Sequence, residues 1–186
     1  TGAVFAITKE AWHTLGPLDE DYYPAYYEEA DYCYRARGRG FGVIYVPQAT
    51  VRHLKSSQAW RADPLLHDAF QHRARYRFIA KHYTPSELAA FFPAELAAIE
   101  EEMWFDQVLG RALGARHMLR TLDGALTRRQ QELCNTLPMA ERRRLHGGFG
   151  EIAQAALHRA QEIAERNFAE PIPRRAQRRL GLLGAD

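Results

Sequence analysis

The chain changes character at Asp63. Before it, runs rich in β-branched and aromatic residues alternate with turn-marked segments. After it, apolar residues recur at helical spacing, Leu66, Phe70, Ala74 and Phe78 among them, and strand signals vanish. The pattern predicts an α/β piece over residues 1–62 followed by a mainly α-helical extension over residues 63–186. An α/β fragment of about 60 residues with two or three strands is a poor independent sheet.

Strands are expected over residues 2–8 (GAVFAIT), over 41–47 (FGVIYVP) and as a further short run over 49–54. Thr8 is placed to cap a short helix, KEAWHTL, which Gly16 and Pro17 end. A second helix is expected over residues 28–37, and the tail after Glu170 is expected to fray or to make contacts. In the extension, Thr84, Pro85 and Glu87 spell a capping-box start. Helices are then expected over residues 93–119, 121–137, 139–145 and 149–168, with Gly147 and Gly148 as a break.

With 186 residues, 46% of them apolar and 26% charged, wholesale disorder, collagen-like repeats and disulfide miniproteins are excluded. No apolar run approaches the roughly 18 residues of a membrane span, and the N-terminal run lacks the build of a signal peptide. Only Cys33 and Cys134 occur, which suits a reducing compartment, so the expected location is cytoplasmic. Of the 25 cations 22 are Arg, and neither half of the chain is strongly basic. Nucleic acid is therefore not an expected partner, because it calls for a clustered positive footprint.

The densest chemical signal lies between Tyr22 and Arg35. On a helix Glu28, Asp31 and Arg35 share a face, which allows an Asp31–Arg35 salt bridge. Glu29 points about a quarter-turn away, in the first turn, where the dipole favours an ionised carboxylate suited to accept a proton from a hydroxyl. Acids in a first turn are equally good helix starts. Six of the nine tyrosines fall between positions 22 and 34, which reads either as a carbohydrate groove or as a satellite core beside a small sheet.

The ordered string TGAVFAITKEAW, LGPLDEDYY, YEEADYCYRARGRGFGVIYVPQATVRH and RARYRFIAKHY resembles the C-terminal half of a family-two glycosyltransferase over residues 1 to about 83. This is the GT-A superfamily of inverting enzymes that use nucleotide-diphosphate sugars. The resemblance implies a partial GT-A fold and metal-dependent transfer to a carbohydrate, lipid-linked or protein acceptor. It implies Glu29, the second acid of the pair after Glu28, as catalytic base, although the family more often has Asp there. It implies Asp31 and Arg35 as supporting groups and His53 as ligand to Mn²⁺ or Mg²⁺ on the donor diphosphate. Lys55, Ser56 and Ser57 follow in a run that either folds over that diphosphate or is an ordinary solvated loop. The family's donor-binding half, with its Asp-x-Asp, has no counterpart here; Asp19-Glu20-Asp21 has the letters but sits in the family's turn. This chain alone is therefore expected to bind donor weakly or not at all.

The remaining histidines, His13, His67, His72, His82, His117, His146 and His158, show no paired ligand spacing and read as surface or packing residues. Gly110 and Gly114 resemble a small-residue packing seam. Arg142, Arg143 and Arg144 and the Arg174–Arg179 cluster read as solvated faces or as a contact with an anionic membrane surface or an acidic protein. Besides the transferase, the sequence admits a noncatalytic helical assembly module that carries a transferase remnant.

Overall fold

The computed structural model describes residues 4–52 and 63–167. Six α-helices account for most of them: α1 (Lys9–Leu15), α2 (Glu28–Gly38), α3 (Pro64–His82), α4 (Pro85–Glu101), α5 (Phe105–Leu133) and α6 (Met139–Asn167), with a single 3₁₀ turn at Glu20–Tyr22. Helix α3 packs along α5, α5 along α6, and α4 against α6. Leu88, Val108, Leu109, Met118, Leu145, Phe149 and Ile152 form the fully buried centre of this bundle.

The expected α/β fold is overturned: among the described residues no strand and no sheet forms. The residues of the run at 4–8 and the whole run at 41–47 are irregular, although their composition favours extended chain. A strand is held by its ladder partners, and these two runs do not pair with each other. Their apolar side chains stay in water, with Ile44 82% and Tyr45 88% exposed.

Local helix signals were legible. Thr8 Oγ1 accepts from Ala11 N at 3.2 Å and α1 stops at Gly16, whose φ is 73°. The Thr84–Glu87 capping box is formed in both directions, with Glu87 N donating to Thr84 Oγ1 at 3.3 Å and Thr84 N donating to Glu87 Oε2 at 2.7 Å. The boundaries beyond it differ from expectation. Helix α4 runs straight through Pro93, α5 is continuous across Arg120, and α6 is continuous across Gly147 and Gly148. Gly148 breaks nothing because its missing side chain makes room for Phe92: a Cβ there would lie 2.4 Å from the ring. The interruption comes instead at Glu102, whose Oε1 accepts from Met103 N and Trp104 N at 3.0 and 3.1 Å in the turn that precedes α5.

The α3–α5 seam is close enough to exclude side chains. A Cβ on Gly110 would stand 2.7 Å from Asp68 Cβ, and one on Gly114 would stand 2.8 Å from the His72 carbonyl carbon and the Arg73 nitrogen. Backbone cannot yield as a flexible side chain can, so Gly114→Ala should destabilise by about 1–3 kcal/mol despite Ala's better helix propensity. Gly124, in the same helix with nothing within 4 Å, serves as control. There Ala should stabilise by about 0.5–1 kcal/mol. Urea unfolding of the two variants checks the pair, and equal stabilisation by both would show the seam to be loose.

Candidate functional site

Helix α2 carries the acid run, and its position is set by one buried carboxylate. Asp31 is fully buried. Its Oδ2 accepts from Arg35 Nε at 2.9 Å, in the i,i+4 geometry the sequence predicts. Its Oδ1 takes Lys81 Nζ and His82 Nε2, each at 2.7 Å, and the Tyr22 hydroxyl at 3.4 Å. Lys81, equally buried, also meets Glu132 at 2.6 Å and Asp19 at 3.1 Å, and Arg77 pairs with Asp19 at 2.9 Å. Arg35 donates onward to the carbonyls of Leu15 and Pro17 at 2.8 and 2.9 Å. The network thus joins the loop after α1, the 3₁₀ turn, α2, α3 and α5.

Burial alone pushes the Asp31 carboxyl up, but the His82 hydrogen bond and the Lys81 charge outweigh it and hold the group far below the usual carboxylate range. Asp19 is held low in the same way by Lys81 and Arg77 against its own burial. For His82 burial dominates and pulls the imidazole down, with Asp31 opposing. Asp31 therefore reads as the anchor of α2, both oxygens engaged and no surface left for a ligand. Asp19, from the Asp-Glu-Asp letters, caps the 3₁₀ turn through Asp21 N at 3.1 Å.

Glu28 and Glu29 open α2 as expected, half-buried. Each has one carboxylate oxygen that is shielded from water and without a hydrogen-bond partner. Glu28 lies toward Tyr26, whose hydroxyl it helps to raise after burial and Asp68. Glu29 lies beside Cys33, one turn on, whose thiol is raised chiefly by burial and further by Glu29. The two residues just before the acid pair, Tyr26 and Tyr27, have φ of 82° and 69°. Consecutive left-handed tyrosines cost roughly 1–3 kcal/mol each and persist only where the surroundings impose them.

Most of the tyrosine cluster forms a satellite core, though against helices and not a sheet. Tyr22 and Tyr32 are buried, while Tyr27 and Tyr34 pack on Phe78 of α3 at 5.5 and 5.4 Å. His53, Lys55 and Ser56 lie outside the described residues. Among the described residues no group of three or more His, Cys, Asp or Glu side chains could hold a metal ion, and the ligand expected for Mn²⁺ or Mg²⁺, His53, lies outside them. No helix among them is long and apolar enough to cross a membrane.

Local spacing missed Lys81, His82, Glu132 and a second buried acid, Glu95. The first three reach Asp31 and its partners over 50 or more positions, beyond any helical period. Glu95 carried a signal: it continues the buried stripe Leu88, Phe92, Ile99 of α4, where a carboxylate demands partners. It receives Tyr76 Oη at 2.7 Å, Arg111 Nη1 at 2.6 Å and Arg75 Nη1 at 2.9 Å.

Two outcomes test this geometry. Asp31→Ala takes from Arg35, Lys81 and His82 the carboxylate they share in a buried network and should cost about 3–5 kcal/mol in urea unfolding. Acid should act in two stages. Burial lowers His72 to about 3, burial with Arg73, Arg120 and Arg77 lowers His117 to about 4, and His82 is also lowered. Unfolded histidines titrate near 6.5, so below about pH 6.5 the unfolded chain binds more protons and stability falls. Asp19, Asp31 and Glu95 have depressed folded values; their contribution is intact above the unfolded range and is lost only below about pH 4. The urea midpoint should therefore decline from about pH 6.5, well before the carboxylates titrate, and His72→Gln should flatten that first decline.

No family model, curated protein or solved structure matches the chain.

Proposed function

We propose that this chain is part of an inverting glycosyltransferase that moves a sugar from a nucleotide-diphosphate donor to an acceptor hydroxyl in the cytoplasm, with Glu29 as the base. The observation that carries the reading is the start of α2. An acid pair with unpartnered carboxylate oxygens follows directly on two left-handed tyrosines, on a helix that the Asp31 network fixes in place. Strain and unmet hydrogen-bonding capacity at one point are what a preorganised site retains. The ordered motif string around these residues supports the same assignment.

In the proposed step Glu29 takes the proton of the acceptor hydroxyl. The freed oxygen pair forms the new bond to the anomeric carbon, and the bond to the nucleotide diphosphate breaks on the opposite face, its electrons leaving with the diphosphate. Asp31 and Arg35 act as positioning residues, holding the helix that carries Glu29. A divalent metal held through His53, which lies outside the described residues, would neutralise the departing diphosphate.

In the full-length protein that carries these residues, Glu29→Gln should lower transfer from nucleotide-diphosphate sugars by about 100-fold or more, with unchanged circular dichroism. Turnover equal to the unaltered protein would sink the assignment.

A further inference from the structure

A cleft of about 470 Å³ opens between α3, α4 and α5 beside the start of α2, a volume within the range of small-molecule sites. Tyr27, the residue immediately before the acid pair, forms part of its wall. Phe91 adds a second aromatic surface, with the Arg75 guanidinium stacked 5.4 Å from its ring centre. Gln71 and Gln107 line it as well, and each amide both donates and accepts.

The lining also holds polar groups that the protein leaves unmet. His72 is only 7% exposed and its Nδ1 has no hydrogen-bond partner; the Arg111 Nε is likewise shielded and unpartnered. Buried polar atoms of this kind are uncommon unless something else satisfies them. Burial and the nearby Arg111 keep His72 neutral at physiological pH, so its ring offers one donor and one acceptor.

Charge narrows the ligand class. Arg75 and Arg111 both engage Glu95, at 2.8 and 2.6 Å, and Arg111 Nη2 faces Glu102 at 3.9 Å. Both guanidiniums that line the cleft are thus already engaged by carboxylates, Glu95 in the lining and Glu102 outside it, which leaves neither unpaired for an anionic ligand. Mixed donors and acceptors around aromatic faces, with both lining cations already paired, match a polyhydroxylated ring.

We infer that this cleft binds a neutral pyranose. Its identification as the acceptor sugar rests on the transferase reading; the binding itself does not.

The test is a titration of the ¹⁵N-labelled 186-residue chain with methyl pyranosides of glucose, galactose, mannose, rhamnose and N-acetylglucosamine, with glucuronate and glucose 6-phosphate alongside. At least one neutral pyranoside should saturably shift the side-chain resonances of Gln71, Gln107 and His72. Gln71→Ala and Gln107→Ala, at positions away from the core, should weaken that binding by about tenfold in sum while leaving circular dichroism unchanged. Absence of saturable shifts with every neutral sugar, tighter binding of an anionic sugar, or unaltered affinity in the two variants would each overturn the inference. Because the titration reads binding without turnover, its failure removes the cleft assignment alone, and normal transfer by Glu29→Gln removes the transferase reading alone.

Discussion

A carboxylate taken wholly out of water needs charged and hydrogen-bonding partners, and those of Asp31 organise the N-terminal part of this molecule. Arg35 supplies one partner from the same helix, while Lys81 and His82 supply others from the end of α3. Lys81 is itself buried and brings Asp19 and Glu132 to the same point. Beside these ion pairs, α2 has the ring contacts of Tyr27 and Tyr34 with Phe78, and its flanking runs make no sheet. Its placement is therefore largely electrostatic where that of the bundle is steric, with Gly110 and Gly114 letting α3 and α5 meet backbone to backbone.

What the sequence made legible was local. Thr8 with Gly16, the Thr84–Glu87 pair, and Asp31 with Arg35 each encode structure across separations of three to eight residues, and each formed as written. The strand-rich run at 41–47 went astray because β-propensity states only what a residue does once a ladder exists. Pro93 and Gly148 misled for a different reason: both are breakers on average, but the contact with Phe92 gives Gly148 a packing role that a one-residue rule cannot see. The acid pair was visible as a pair, and its supports were visible only in part. Arg35 lies four residues from Asp31, whereas Lys81 and His82 meet it through tertiary packing, and Glu132 joins through Lys81.

The two candidate features share a border. Tyr27 contributes its strained backbone to the start of α2 and its side chain to the cleft wall, and its ring packs on Phe78 of α3. A single residue thus links the conformation of the acid-bearing turn to the shape of the space beside it. Substitution at Tyr27 would disturb both, which makes it a poor probe of either.

The reliance of α2 on paired charges also gives its attachment a distinctive response to temperature. Hydration of charged groups becomes less favourable on warming, so the penalty for keeping Asp31 and Lys81 dry shrinks, while apolar burial gains little more. The junction between α2 and the bundle should accordingly hold its share of the stability as the molecule is heated. In the cold, where water competes hardest for those ions, that junction is the part of the molecule most inclined to let go.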